Sequence, residues 1–250
     1  MNILTFDIET SPHLSYHWRR WQENIPYQNT IEESETLCWA AKWFGEKKVM
    51  SSTRWNDGQD AMMEGIWELL DEADVVVGFN SQKFDIKRVN SEFVLRGWAP
   101  PSPYKQVDLL LKCRQQFGFS SNRLKDILKR LGLSMKLEDN ANMELWMDVV
   151  NRELKGAQKR MDKYCQQDVR STEELYEYIL GWIKGHPNWA LFLDDTKGKP
   201  TCPNCGSDHV TKKGVETTKI RKYQRYQCQS CGAYHRGRRS IEPVGSEVLA

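Results

Sequence analysis

Five residues in three short stretches carry the side chains best suited to metal-dependent chemistry. Asp7 and Glu9 stand two apart in FDIET. On a strand, positions i and i+2 project to the same face, so both carboxylates can converge on one cation. Asp85 closes GFNSQKFD, directly after a short apolar run, and Tyr164 and Asp168 lie four apart in YCQQD, on one face of a helix. Hard ions such as Mg²⁺ and Mn²⁺ take oxygen ligands, often only a few of them from protein. Each stretch also has an ordinary alternative: a solvated strand for Asp7 and Glu9, a helix N-terminal acid interacting with the macrodipole for Asp85, and a surface Tyr–Asp pair for the third.

A second cluster is made of sulfur. Four of the seven cysteines form CPNC and CQSC: Cys202, Cys205, Cys228 and Cys231, with 22 residues between the pairs. Two such pairs supply the four tetrahedral thiolates that one structural Zn²⁺ prefers, with a redox dithiol pair as the alternative. Gly206 and Gly232 follow the second cysteine of each pair and permit the tight turn in which backbone amides approach sulfur. His209 and His235 are available nearby but unnecessary for a site with four thiolates. Cys38, Cys113 and Cys165 are isolated, and the odd total argues against a disulfide framework.

The elements that must position these residues read as α/β over the first 185 residues. A strand over Asn2–Phe6 enters FDIET, Leu37–Phe44 and Lys47–Ser51 form two more around the turn Gly45–Glu46, and Asp74–Phe79 is a short buried strand. Helical periodicity marks Ala61–Leu70, then Ile86, Val89 and Phe93. Beyond the proline-rich WAPPSPY the pattern is helical, with Asp108 favoured as the cap of a helix through Phe117 rather than as a fifth acid. Further stripes are Leu124–Leu131 with its stop at Gly132, Leu145–Val150, and a last helix carrying Leu175, Ile179, Trp182 and Ile183. Trp39, Trp43, Trp67 and Trp146 are expected in the core, and His186 is structural. The segment after the first motif, SPHLSYHWRRWQENIP, is aromatic and basic. His17, Trp18, Arg19, Arg20 and Trp21 fit a single-strand stacking and phosphate surface, or equally a lid whose tryptophans anchor it to the body.

The order FDIET, GFNSQKFD, YCQQD resembles the three exonuclease motifs of the DEDD (DnaQ-like) superfamily over roughly residues 1–185. Tyr164 four residues before Asp168 is similar to the DEDDy branch, since the histidine branch needs His at position 163, which is Lys163. The resemblance is nearest to the exonuclease domain of family B DNA polymerases. It implies an RNase H-like mixed sheet flanked by helices and 3′–5′ removal of nucleotides with two Mg²⁺ or Mn²⁺ ions, DNA being the favoured substrate. Asp7, Glu9 and Asp168 would hold the ion that activates water, and Asp85 would serve the second ion. Tyr164 would position that water and help deprotonate it. Asn80 and Phe84 would line the substrate path, with core packing an equal alternative for Phe84. A structure-selective endonuclease on the same fold, and a nucleic-acid-binding replication or repair adaptor with a degenerate site, remain the other readings.

Charge and length set the domain plan. The 250 residues are 39% apolar and 28% charged with a net charge of +2, enough chain for one sizeable core and a small appendage. Residues 201–240 hold nine Lys/Arg against two Asp/Glu, or +7, which leaves 27 against 32, or −5, for the rest. The expected plan is an exonuclease domain over 1–188, a linker over 189–200, a zinc ribbon over 201–240 and a tail over 241–250. The ribbon would rely on zinc for its folding free energy. Lys212, Lys213, Arg221, Lys222, Arg225, Arg236, Arg238 and Arg239 are its candidates for phosphate contact, assisting the binding of single-stranded DNA or 3′ ends. The main alternative for the ribbon is docking to a replication or repair protein. With no signal-like N-terminus and no long apolar run, the expected location is cytoplasmic, away from membranes.

Overall fold

The computed structural model describes residues 1–19, 21, 24–133, 142–193 and 198–241. Arg20, the middle of the expected linker (194–197) and nearly all of the expected tail (242–250) lie outside the described residues. Strands are β1 (Ile3–Thr10), β2 (Leu14–Ser15), β3 (Thr30–Glu32), β4 (Thr36–Trp43), β5 (Met50–Thr53), β6 (Val75–Gly78), β7 (Lys105–Asp108), β8 (Val210–Thr217), β9 (Lys222–Cys228) and β10 (Tyr234–Ser240). Helices are α1 (Arg54–Asp57), α2 (Gln59–Glu72), α3 (Asp85–Leu95), α4 (Leu109–Gln116), α5 (Leu124–Leu131), α6 (Met143–Val150) and α7 (Lys155–Ile179). Among the described residues no helix is long and apolar enough to cross a membrane.

Two compact units share the chain. The larger comprises Asn2–Cys113 and Phe119–Leu175, and the smaller Met1, Arg114–Gly118 and Tyr176–Ala250. The larger holds a five-stranded mixed sheet in the order β5-β4-β1-β6-β7. β1 is antiparallel to β4 and parallel to β6, and β7 is parallel to β6. This is a mixed sheet flanked by helices, the RNase H-like arrangement expected.

Alternation along β1 decides where the acids go. Leu4, Phe6 and Ile8 enter a core with Met62, Met63, Ile66 and Leu70 of α2 and Ile86, Val89 and Phe93 of α3. Their neighbours therefore face the other side, where Leu37, Cys38 and Ala40 of β4 pack on Leu145 and Val149 of α6 and on Ala157, Met161, Cys165 and Val169 of α7. Those α7 residues recur every fourth position, an apolar stripe along one side of the helix. Tyr164 and Asp168 each precede a member of that stripe by one residue, so they rim it. A buried ion pair between Lys42 of β4 and Glu173 of α7 further ties the helix to the sheet.

Several elements depart from the sequence reading. β1 extends past the apolar run Asn2–Phe6 through the whole of FDIET, as the strand spacing of Asp7 and Glu9 requires, because β4 pairs with it from Leu4 to Thr10. The strand expected at Lys47–Ser51 begins only at Met50, where pairing with Ala41 starts. α7 stops at Ile179 and a short 3-10 turn, Leu180–Trp182, follows, so Trp182 and Ile183 lie past the helix. β7 is unexpected. Only Val107 and Asp108 of its four residues are buried, so it shows no apolar run.

Asp108 caps α4 as expected, with Oδ1 accepting from the backbone N–H groups of Leu110 (3.0 Å) and Leu111 (3.3 Å). It also does something the sequence does not suggest. The same carboxylate accepts from Asn80 N (3.0 Å) and Gln82 N (3.2 Å), pinning the loop that leads into Asp85. Asn80 there adopts a left-handed φ of 65°, a conformation tolerated best by Asn among side-chain-bearing residues. Asp108 is 1% exposed, so its loss strands several donors at once. Asp108→Ala is expected to destabilise the fold by about 3 kcal/mol, read as a lower denaturant midpoint with unchanged m-value. Asp108→Asn keeps a carbonyl oxygen as acceptor and should lose about half as much.

Candidate functional site

The three motifs meet at one end of the sheet. Carboxylate oxygens of Asp7, Glu9 and Asp168 all lie within 4.8 Å of one another. Asp85 is outside this trio but buried against it, at the first residue of α3, where its Oδ1 accepts from Ile8 N at 3.2 Å. Ile8 is the residue between the two acids of β1, so this bond fixes the strand segment that presents them. Tyr164 donates its hydroxyl to Asp168. On the sheet side, the Cys165 thiol donates to the backbone oxygen of Asp7 at 3.5 Å. Cys165 is thus a support of the acid cluster, a role that a cysteine beside a tyrosine motif does not reveal in sequence.

The electrostatics are those of crowded anions. Burial, then the charges of Asp85, Glu9 and Asp168, push Asp7 well above the usual carboxylate range. Burial and the charges of Asp168 and Asp85 raise Glu9 to about 8. Asp85 is raised to about 7, chiefly by burial, against which hydrogen bonds from its own backbone and from Ile8 work. Asp168 is raised to about 6 by burial, opposed by the Tyr164 hydroxyl. Burial and the adjacent carboxylates raise Tyr164 strongly as well, so its phenol stays protonated at neutral pH. Asp7, Glu9 and Asp168 keep part of their surface accessible, which leaves room for an incoming ligand. A set of converging oxygens whose charges oppose one another fits hard divalent cations such as Mg²⁺ or Mn²⁺.

The sulfur cluster fits a different ion. Sγ atoms of Cys202, Cys205, Cys228 and Cys231 lie within 4.8 Å of one another. Cys202–Cys231 and Cys205–Cys228 are each 3.6 Å apart. Zn–S bonds of about 2.3 Å in a tetrahedron place sulfurs about 3.8 Å apart, so the cage already has the size of a zinc site. Gly206 (φ 73°) and Gly232 (φ 78°) make the expected left-handed turns. Burial opposes ionisation of Cys228, but backbone hydrogen bonds from Cys231 and Ser230 outweigh it and lower the thiol to about 7. The three-stranded sheet β10-β9-β8 carries the cage. Within the same unit Asn204, inside CPNC, donates to the carbonyls of Leu180 (2.8 Å) and Ile183 (3.1 Å). His186 is held by the Tyr176 hydroxyl at 2.7 Å, a structural role.

The remaining candidates are placed but not gathered at the acids. Asn80 shapes the loop through its backbone, and Phe84, immediately before Asp85, is 47% exposed, so core packing does not account for it. Trp18 and Trp21 are 97% and 89% exposed and Arg19 is exposed beside them, so these tryptophans do not anchor the segment to the body. Lys212, Lys213, Arg221 and Lys222 are exposed on the ribbon, and Arg225 is half-buried. Trp39 is buried, and Trp43, Trp67 and Trp146 are partly buried against the two cores.

A mixed α/β sheet with a carboxylate cluster at the end of its first strand defines an RNase H-like domain. The chain belongs to the RNase_H superfamily, whose model matches residues 32–180, more than half of its length. That match takes in Asp85, Tyr164 and Asp168 and begins after Asp7 and Glu9. The chain is also similar to the family B DNA polymerase from the hyperthermophilic archaeon Pyrobaculum calidifontis, with a TM-score of 0.53 and 17% identity over 72% of this chain. It spans 24% of that polymerase's length. No curated protein matches the chain.

Two outcomes follow from the two clusters. The carboxylates' folded pKa values lie above those of the unfolded chain, so the folded state holds extra protons between about pH 4 and pH 8. Their contribution to stability is present below the unfolded values and is lost as pH rises through about 6, 7 and 8 for Asp168, Asp85 and Glu9. Tm of the magnesium-depleted protein should therefore fall from pH 5 to pH 8, and Mn²⁺ should raise it more at pH 8 than at pH 5. A Mn²⁺ effect independent of pH would contradict this. For the thiolates, Cys202→Ser/Cys205→Ser should reduce bound zinc from one per chain to none by elemental analysis, with loss of ribbon structure.

Proposed function

We propose that this chain is a metal-dependent 3′–5′ exonuclease of the DEDDy type, acting on nucleic acid with DNA favoured, and that its basic ribbon adds affinity for the substrate. The observation that carries the reading is the convergence of Asp7, Glu9 and Asp168 within 4.8 Å, with Asp85 bonded to the strand between the first two. The RNase H-like fold and the likeness to a DNA polymerase support a nuclease. The Tyr164–Asp168 spacing supports the DEDDy branch.

Asp7, Glu9 and Asp168 would hold one cation and Asp7 with Asp85 a second. The pair of cations would acidify the attacking water and stabilise charge on the attacking and leaving oxygens of an in-line displacement. The residues of the chain do the positioning. Asp85, through Ile8, and Cys165, through the Asp7 carbonyl, keep the two acids of β1 in place. Tyr164, protonated and oriented by Asp168, directs the water toward phosphorus rather than removing its proton. Water oxygen bonds to phosphorus as the bond to the 3′ oxygen of the penultimate nucleotide breaks. A nucleoside 5′-monophosphate leaves and the shortened strand keeps a 3′ hydroxyl.

With Mg²⁺ or Mn²⁺, a 5′-labelled strand should shorten stepwise, while a 3′-terminal label should leave at once as mononucleotide. Asp168→Asn and Asp7→Asn should each lower kcat on the order of 10³-fold, the loss of several kcal/mol of charge stabilisation. Tyr164→Phe should cost less, on the order of 10²-fold. Cutting of a circular single strand at a comparable rate would show an endonuclease instead.

A further inference from the structure

The ribbon sheet has two faces of different chemistry, and its register separates them. Tyr226 is flanked by Lys212 on β8 and His235 on β10. This row faces the thiolates, because His235 Nε2 lies 3.6 Å from Cys202 Sγ. Alternation then puts Tyr223 and Arg225 of β9, with Tyr234 and Arg236 of β10, on the opposite face. There the guanidinium carbon of Arg225 stands 5.7 Å from the ring centroid of Tyr234, and that of Arg236 stands 4.7 Å from Tyr223. Two diagonal cation–π contacts thus set each arginine over a tyrosine ring of the neighbouring strand.

Those arginines are direct register partners, like charges opposite each other across the strands. Such a pair is unfavourable unless something anionic lies over it. Arg225 Nε is occupied by the Lys213 carbonyl at 2.9 Å, which orients the fork. Among the described residues no hydrogen bond or ion pair engages the terminal nitrogens of Arg225 or Arg236. The nearest acid in the register is Glu216, opposite Tyr223, and Arg221, Lys222, Arg238 and Arg239 add positive charge along the same strands and turn. Planar guanidinium groups suit the bidentate geometry of phosphate, and the tyrosine rings beneath them suit the bases of an unpaired strand.

We propose that the Tyr223–Arg225–Tyr234–Arg236 face of the ribbon binds the phosphodiester backbone of a single-stranded nucleic acid, while the Lys212 face is turned to the zinc cage and takes little part. The proposal rests on the nuclease reading only for the identity of the polyanion.

The test uses the zinc-loaded full chain and a fluorescein-labelled single-stranded DNA with a non-hydrolysable phosphorothioate backbone, read by anisotropy across a salt series. Arg225→Gln/Arg236→Gln should weaken binding about tenfold and reduce the slope of log K against log salt by about 1.4, two charges at ~0.7 each. Lys212→Gln should cost no more than about twofold. Arg225→Lys/Arg236→Lys should keep the salt slope but lose part of the affinity, since charge survives and the stacked fork does not. Unchanged affinity in the double glutamine variant with its zinc intact overturns the proposal. So does an equal loss in Lys212→Gln, or tighter binding of a poly-glutamate peptide of matched charge than of the DNA. Hydrolysis of an ordinary oligonucleotide by the wild-type chain is scored separately. Binding through this face in a chain that cuts nothing would leave the present proposal standing and sink the nuclease reading.

Discussion

The crowding of like charges governs the larger unit. Three carboxylates within 4.8 Å, with a fourth bonded to the strand beside them, repel one another and resist ionisation. A fold that spends stability to keep such groups together needs a ligand that reverses the sign of the interaction. Divalent cations do so, and their oxygen preference matches the donors. The supports around the acids make sense in this light: Ile8 held by Asp85, the Asp7 carbonyl held by Cys165, and α7 fixed to the sheet by the Lys42–Glu173 ion pair. Each limits the spreading by which the acids would otherwise relieve their repulsion.

The ribbon answers a different constraint. Its strands bury little apolar surface; Cys202, Cys228 and Ala233 are its buried hydrophobic positions, with Cys205, Val210 and Cys231 packed beside them. Four cysteine sulfurs within 4.8 Å of one another stand where a core would be, a set that could bind zinc. The chain thus gathers two donor sets of different chemical hardness, one of oxygens and one of sulfurs.

What the sequence reveals depends on whether the information is local. Asp7 and Glu9 are legible because a strand repeats every two residues, and Tyr164 and Asp168 because a helix repeats every four positions or so. CPNC and CQSC declare themselves by ligand type and spacing. β7 is not legible, since a four-residue strand with two exposed residues leaves no pattern, and its Asp108 reads only as a helix cap. The links from Asp108 to the Asn80 loop, from Cys165 to Asp7 and from Lys42 to Glu173 join distant parts of the chain, and no local period encodes them. β8 and β10 escape for another reason: VTKKGVET and YHRGRRS are mostly polar and exposed, so no apolar alternation marks them as strands. The division of the ribbon's basic residues between two faces likewise needs the strand register.

The central claim is that burial and crowding leave protons on part of the acid cluster at neutral pH, and that bound cations displace them. Calorimetric titration of the zinc-loaded, magnesium-depleted protein with Mn²⁺ at pH 7, repeated in buffers of different ionisation enthalpy, counts the protons released. With Glu9 raised to about 8 and Asp85 to about 7, at least about one proton per chain should leave on binding. Saturable Mn²⁺ binding with no proton release, or with release unchanged in Glu9→Gln, would contradict the account.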